Sequence, residues 1–383
     1  MTGHKILAID GDAATRHYVS KILRDQGHTV LVAASGEEGL KVAAREQPEL
    51  IIADPLMADL PGEELAARLH SDPATARIPL IALSHNPRTA RLRSFLDSGF
   101  DDYLIKSPQV VDLLKASIAE LLESENALQQ EGGKLIVFIS AKGGVGTSSF
   151  CVNLASCIAQ VEPRPGIVVM DLVLPMGSMA EIVGFQGPED MVTICEKPLS
   201  ETTPDFFQRR LPRMNAWRFQ LLAGVPQPDQ SAKLNFVRIR SIVSALRTAY
   251  DYVLVDLGRA LSKISIPLIQ RADLVVITTS TDLTSIALTK TLWGFLQTKR
   301  LDGSRVFLIL NRVGGIEGLT KVQVEDAVGL PIRATMPFLG ENLSLTNNQH
   351  KPYPERFPTD TGTIILTTAA RQIVEAAAER SGR

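Results

Sequence analysis

A glycine-rich loop between an apolar strand and a helix carries the clearest chemical signal in this sequence. The strand is predicted for residues 134–140 and the helix for residues 148–160. The loop between them reads Ala141-Lys142-Gly143-Gly144-Val145-Gly146-Thr147-Ser148-Ser149. Glycines let successive backbone N–H groups surround phosphate oxygens, and the helix N-terminus adds a partial positive charge. Ser148 stands where such loops place an Mg²⁺-binding hydroxyl, which favours a phosphate-binding loop over a plain glycine turn.

Four polar residues in the first third of the chain form a second candidate site. Each lies at the end of an apolar segment predicted to be a strand, and they are Asp10, Asp54, Ser84 and Lys106. Because the carboxyl ends of parallel strands meet at one edge of a sheet, we expect these side chains to converge. The alternative is a plain α/β sheet in which the acids follow the strands by chance.

Two sets of strand–helix units position these residues. The first set has strands at 5–9, 29–33, 50–53, 79–84 and 102–105, with a helix at 90–98 before the last. The second set has strands at 134–140, 166–171, 252–256, 274–278 and 306–311. Strands that alternate with helices predict two α/β domains with doubly wound parallel sheets. We expect the domains at residues 1–123 and 134–383, joined by a polar linker at 124–133.

The end of the chain has two predicted features. Residues 343–361 contain three prolines and are expected to be irregular. A final helix at 363–380 has an apolar stripe that could face a membrane surface or dock on the core. Docking is favoured because the helix lacks aromatic residues and a dense basic face.

The composition limits the classes of function. The chain has 383 residues with 40 basic and 42 acidic side chains, so its overall charge does not favour nucleic acid or an anionic membrane as main partner. Its three cysteines are too few and too irregularly spaced for a disulfide framework or a metal site. No run of 18 apolar residues is present, so we expect a cytoplasmic protein without a transmembrane segment.

The glycine-rich loop resembles the deviant Walker A loop of the ParA/MinD superfamily, which belongs to the SIMIBI class of P-loop NTPases. This resemblance implies ATP and Mg²⁺ as cofactors, with Gly143 to Ser149 around the phosphates. It also implies a homodimer in which Lys142 reaches the phosphates of the partner subunit. The family's second lysine falls at Thr147, so we expect slow or absent hydrolysis.

Other positions resemble the superfamily at predicted strand ends. The resemblance implies that Asp171 positions the attacking water and that Asp256 holds Mg²⁺. Asn311 and Arg312 resemble the pair that reads the adenine edge, and Pro337 resembles the residue that flanks the base. These roles are expectations carried by the resemblance, since each residue alone could cap a turn or a helix.

The first domain resembles the receiver domain of two-component signalling. The resemblance implies that Asp54 accepts a phosphoryl group, that Ser84 relays it and that Lys106 neutralises its charge. The loop that begins at Asp54 (Asp-Pro-Leu-Met-Ala-Asp-Leu-Pro-Gly) is also similar to the loop that follows the acceptor in that family.

The receiver resemblance has one important departure. Receivers carry two adjacent acids that hold Mg²⁺, whereas this chain reads Asp10-Gly11, with Asp12 one place late. The loss of a carboxylate weakens a site that requires near-octahedral geometry. A docking role independent of phosphorylation is therefore favoured, and phosphorylation stays open.

The order of the two domains resembles the TadZ/CpaE family. This resemblance implies a factor that localises and assembles Tad (type IVc) pili, often at a cell pole. Its partners would be pilus assembly or secretion machinery proteins, with membrane association only through them.

Two alternatives stay open. One is a ParA-like DNA-positioning ATPase, supported by the basic residues Arg209, Arg210, Arg213 and Arg218 but not by the balanced charge, so DNA is not the expected partner. The other is a response regulator whose phosphorylation controls the ATPase domain, with a histidine kinase as partner.

Overall fold

The computed structural model divides the chain into two compact units, Met1–Gln129 and Gln130–Arg383. The structure describes residues 3–72, 74–76, 78–85, 95, 98–107, 110–129, 132–234, 236–262, 264–313 and 319–379. Each unit is described separately below.

The described residues of the first unit form a five-stranded parallel sheet with helices. The strands are β1 Lys5–Ile9, β2 Thr29–Ala33, β3 Leu50–Ala53, β4 Leu80–Ser84 and β5 Asp102–Ile105. The helices are α1 Ala13–Asp25, α2 Gly36–Glu46, α3 Gly62–Ser71 and α4 Val110–Gln129. The strand order β2-β1-β3-β4-β5 is that of a flavodoxin-like fold. The helix predicted for residues 90–98 lies mostly outside the described residues.

Helix α4 extends into the segment predicted as the linker. It continues through Gln129, so residues 124–129, which we expected to be linker, are helical. The segment is polar, but its Glu, Gln, Ala and Leu residues have high helix propensity, so polarity alone does not predict an irregular chain.

The second unit is built on a larger sheet. Its strands are β6 Lys134–Ser140, β7 Ile167–Asp171, β8 Arg213–Met214, β9 Phe219–Leu222, β10 Tyr252–Asp256, β11 Leu274–Ser280, β12 Val306–Val313 and β13 Ile332–Pro337. Their order is β13-β12-β11-β6-β10-β7-β9-β8, and only the β8–β9 pair is antiparallel. The central strands β6, β10 and β11 are almost wholly buried, which explains their continuous apolar sequences.

Helices cover this sheet. They are α5 Thr147–Val161, α6 Met179–Val183, α7 Met191–Cys195, α8 Pro204–Arg210, α9 Phe236–Ala249, α10 Ser265–Arg271, α11 Leu283–Thr298, α12 Lys321–Val328, α13 Gly340–Asn348, α14 Tyr353–Arg356 and α15 Thr361–Ala378. The prediction of two α/β domains with doubly wound, mainly parallel sheets is confirmed.

Two parts of the second unit differ from the sequence prediction. The prediction missed β8, β9 and β13, which lie toward the ends of the sheet. It also treated residues 343–361 as irregular, whereas α13 and α14 occupy much of this segment. Pro352 and Pro354 lie at the N-cap and in the first turn of α14, where proline does not interrupt the hydrogen-bond pattern of a helix.

The last helix packs on the core. Leu366, Ala369 and Ile373 of α15 are buried in the hydrophobic cluster that also contains much of α5. The docked-helix prediction is therefore confirmed. Among the described residues, no helix combines the length and the apolar character needed to cross a lipid bilayer.

Candidate functional site

The first unit brings its four predicted site residues to one edge of the sheet. Lys106 Nζ donates hydrogen bonds to Asp10 Oδ2 at 2.7 Å and to Asp54 Oδ2 at 2.6 Å. Ser84 ends β4 and is fully buried, and its carbonyl accepts a 2.8 Å hydrogen bond from the Lys106 N–H. Burial lowers the pKa of the Lys106 ammonium, but the bonds to the two carboxylates outweigh this effect and leave its pKa raised. The geometry is a closed carboxylate–ammonium cluster.

Asp12 does not join this cluster. Its carboxylate caps α1 and accepts hydrogen bonds from the N–H and the hydroxyl of Thr15 at 2.8 and 2.7 Å. The Thr15 hydroxyl is the main reason that the pKa of Asp12 is lowered. Asp12 instead contributes its backbone N–H to Asp10 Oδ1, at 2.8 Å. Its carboxylate is thus committed to the helix and does not replace the acid that is missing at Gly11.

The glycine-rich loop lies between β6 and α5, as predicted. Gly144 and Gly146 have φ angles of +75° and +96°, a left-handed conformation that side chains disfavour. A Cβ added at Gly143 or Gly144 would meet no atom within 4 Å, so the loop is open on that side. Thr147 is the first residue of α5 and is only 6% exposed. The loop can surround phosphate, but Thr147 gives it a hydroxyl where the related loops have a lysine.

Asp256 provides the test of whether this loop fits an Mg²⁺–nucleotide. It ends β10, is 0% exposed, and its Oδ1 accepts a 2.8 Å bond from the Gly258 N–H. Its buried Oδ2 has no hydrogen-bond partner within the described part of the chain. Burial, and then the charge of Asp171, raise the pKa of Asp256 to about 7, although the Ser148 hydroxyl and the Gly258 N–H lower it. A cation would compensate this buried oxygen, so the residues present fit Mg²⁺ beside a phosphate.

Asp171 is held by backbone groups. It ends β7 and is 1% exposed. Its Oδ1 accepts a hydrogen bond from Val173 N at 3.0 Å, and its Oδ2 accepts from Ser178 N and Met179 N at 2.8 and 2.9 Å. Burial raises its pKa despite these three donors. The contacts give Asp171 a role in fixing the loop after β7, and its proposed role with water stays a prediction.

Lys142 is paired within its own chain. Its Nζ donates a 2.9 Å hydrogen bond to Asp282 Oδ1. Asp282 also accepts from the hydroxyls of Ser280 and Ser285, each at 2.7 Å, and caps α11. Burial acts to raise the pKa of Asp282, but these hydroxyls and Lys142 hold it well below its usual value. The sequence prediction missed Asp282, although an Asp directly before an apolar helical segment is a helix N-cap signal.

Asn311 and Arg312 contact the glycine-rich loop itself. Asn311 Nδ2 donates to the Val145 carbonyl at 2.8 Å, and Arg312 Nη2 donates to the Gly144 carbonyl at 3.0 Å. The structure thus brings both residues to the loop, while an adenine-reading role stays a prediction. Pro337 ends β13, opposite Val313, and its role beside a base also stays a prediction.

Ser149, in the first turn of α5, is the last predicted residue of the loop. Its carbonyl accepts a 2.8 Å bond from Asn153 Nδ2, and its hydroxyl lies 3.5 Å from Asn347 Nδ2. The second contact connects the start of α5 to the C-terminal end of α13.

The first unit is similar in sequence to receiver domains. Residues 6–118 match the family model of the response regulator receiver domain. An uncharacterised 14.6 kDa protein of Leptolyngbya boryana is 36% identical over 110 residues, which are 29% of this chain and 84% of that protein. The transcriptional regulatory protein AfsQ1 of Streptomyces coelicolor is 33% identical over 138 residues, or 36% of this chain. The match spans only 60% of AfsQ1.

Solved structures resemble the second unit. A ParA family ATPase from Chlorobium tepidum superposes with a TM-score of 0.58 at 20% identity, over 62% of this chain and 98% of that one. The septum site-determining protein MinD of Pyrococcus horikoshii, solved with Mg-ADP, superposes with a TM-score of 0.55 at 16% identity, over 64% of this chain and 98% of that one. At these identities the likeness concerns the fold, and it confirms a ParA/MinD-like P-loop NTPase fold.

Proposed function

We propose that this chain, whose residues 6–118 match the family model of the response regulator receiver domain, is an ATP-binding switch that dimerises when ATP is bound. In this proposal the receiver-like unit docks on partner proteins, and the dimer helps to localise and assemble Tad (type IVc) pili. The first part of the proposal rests on the contacts of the phosphate loop, and the pilus role rests on the order of the two domains.

Asp256 is the observation that carries the nucleotide part of the proposal. A carboxylate oxygen that is fully buried without a partner is costly, and proteins retain such groups where a ligand compensates them. Ser148 and Asp256 would hold Mg²⁺, and the N–H groups of residues 143–148 would hold the phosphates. Bound Mg²⁺ would neutralise phosphate charge, while the chain's own contribution is to orient the nucleotide through this loop.

Slow turnover fits a switch better than a metabolic enzyme. Thr147 contributes no positive charge, and Lys142 is engaged by Asp282 at 2.9 Å. A missing charged contact in the transition state typically reduces the rate by about 100- to 1,000-fold. Backbone N–H groups still hold the ground state, so ATP binding is expected to survive this loss better than hydrolysis.

Titration calorimetry of the full chain with a slowly hydrolysed Mg·ATP analogue tests the nucleotide part. We expect wild type to bind and Asp256→Asn to lose the Mg²⁺-dependent part of the affinity. An equal affinity of the two proteins with and without Mg²⁺ would remove the basis of the proposal.

The pilus role is tested separately, by mass spectrometry of proteins that co-purify with the full chain from its native cell. Recovery of pilus assembly or secretion proteins supports this role, and their absence from a native pull-down that recovers other partners contradicts it.

The response regulator alternative is favoured by one specific observation. Asp54 lies 2.6 Å from Lys106 in a cluster with Asp10, the arrangement that a phosphoryl acceptor needs to neutralise developing charge. The missing acid at Gly11 argues against efficient transfer. Rapid, stoichiometric labelling of the full chain by acetyl phosphate, lost in Asp54→Asn, would favour this alternative over the docking role.

A further inference from the structure

The two positions of the glycine-rich loop where a lysine could contact phosphate do not supply a free positive charge. Thr147 begins α5 with a neutral side chain, and Lys142 shares its charge with Asp282 through a 2.9 Å ion pair. Neither residue therefore offers a free cation to a nucleotide in this arrangement. A triphosphate carries several negative charges, so a loop that binds it without a side-chain cation depends on backbone N–H groups and Mg²⁺ alone.

Arg312 brings a cation to this loop. Its Nη2 donates a 3.0 Å hydrogen bond to the Gly144 carbonyl, and the side chain is otherwise exposed. Within the described ranges, no carboxylate lies within ion-pair distance of it. A guanidinium has five N–H donors, so most of them are left for a ligand.

The backbone around Arg312 is shaped to aim this side chain. Arg312 has a φ of +60°, a left-handed conformation that is uncommon for a residue with a side chain. The pairing of β12 with β13 is irregular between Leu310 and Val313, so the strand is bulged at this point. Asn311 Oδ1 accepts the Arg312 N–H at 2.8 Å, while its amide holds the Val145 carbonyl. Unfavourable backbone conformations persist where neighbouring contacts enforce them, and they concentrate at functional sites.

We infer that Arg312 is a phosphate-binding residue that supplies, from the end of β12, the positive charge that Thr147 lacks. Its ligand is the polyphosphate of the nucleotide, and Asn311 is the positioning residue that bends the strand and fixes the loop. This assignment rests on the proposed nucleotide function. It differs from adenine recognition, because a charge contact depends on the number of phosphates and not on the base.

Calorimetric titrations of the full chain with Mg·ATP, Mg·ADP, adenosine and inorganic tripolyphosphate test the inference. Arg312→Gln keeps a donor for the Gly144 carbonyl but removes the charge. We expect it to weaken ATP and tripolyphosphate binding by about ten- to a hundredfold, ADP binding less, and adenosine binding not at all. Arg312→Lys, which retains the charge, should recover most of the affinity. Arg333→Gln is the matched control, since Arg333 is an exposed arginine near the start of the adjacent strand β13.

A double variant separates charge from loop shape. Thr147→Lys added to Arg312→Gln should restore tripolyphosphate binding, because it returns a cation to the loop, whereas a purely structural defect would not be rescued. Tripolyphosphate affinity should also depend less steeply on salt in Arg312→Gln than in wild type. The inference on Arg312 is overturned if Arg312→Gln binds tripolyphosphate as tightly as wild type, or if it loses affinity only for ligands that contain adenine. In either case, ATP binding by wild type would still uphold the proposed function. If wild type binds neither ATP nor tripolyphosphate, both fail.

Discussion

Replacement of Asp256 by Asn should stabilise the nucleotide-free protein in a pH-dependent way. Asp256 is fully buried, and its pKa is raised from 3.8 to about 7. The folded state therefore binds this proton more tightly than the unfolded chain, so the free energy of unfolding falls as pH rises from about 4 to about 7. The shift is about three pKa units at about 1.4 kcal/mol each, so the ionised carboxylate costs the folded state about 4 kcal/mol at pH 8. The Asn variant keeps an acceptor for the Gly258 N–H but never ionises.

The prediction is a difference between two proteins at two pH values. The stability advantage of Asp256→Asn over wild type should grow by about 2 to 3 kcal/mol between pH 5 and pH 8. Urea unfolding followed by tryptophan fluorescence measures it, because both tryptophans, Trp217 and Trp293, lie in the second unit. Asp326→Asn, on the exposed side of α12, is the control and should show no such growth. An Asp256→Asn variant that is less stable than wild type at pH 8, or equally shifted at both pH values, would refute the reasoning.

Three further changes have defined outcomes. Gly11→Asp restores the missing carboxylate, and the position has room for it, because a Cβ at Gly11 meets no atom within 4 Å. The variant should bind Mg²⁺ more tightly and its Asp54 should be labelled faster by acetyl phosphate, measured by intact mass. Labelling no faster than in wild type would contradict this. Thr147→Lys should raise the rate of ATP hydrolysis, measured as phosphate release, by a larger factor than it tightens ATP binding. If wild type already turns over several ATP per second and the variant is no faster, catalysis does not need a lysine at this position. Ile373→Ala should destabilise the second unit by about 2 to 5 kcal/mol in urea unfolding, whereas Ile364→Ala, at a position 60% exposed, should change it little; equal effects would argue against the docked helix.

The parts of the fold with strong local signals were predictable. Strands such as Lys5–Ile9 and Lys134–Ser140 are short apolar runs bounded by polar residues, and the structure has them with the predicted bounds. The convergence of Asp10, Asp54 and Lys106 followed from parallel strand topology, since residues after parallel strands share one edge.

The remaining features depend on contacts between distant segments. Lys142 and Asp282 are 140 residues apart, and Arg312 and Gly144 are 168 residues apart, so no local pattern indicates that they pair. Strand β13, at the edge of the sheet, alternates buried residues with exposed or half-buried ones and lacks the continuous apolar run that marked the central strands.

The helix-capping role of Asp12 was also not predicted from the sequence. Asp12 looked like a displaced metal ligand, but its carboxylate accepts the first free N–H groups of α1. The same residue type serves both roles, and only the geometry of the backbone distinguishes them.

Sedimentation velocity of the full chain tests the central claim most directly. The protein is measured without nucleotide, and then with Mg²⁺ and a slowly hydrolysed ATP analogue, for wild type and Lys142→Ala. The account predicts that wild type becomes dimeric only with the analogue. Lys142→Ala should stay monomeric, because it lacks the ammonium that would leave Asp282 to reach the phosphates of the partner subunit. A wild type that stays monomeric with saturating analogue, or a Lys142→Ala variant that dimerises as fully as wild type, would contradict it.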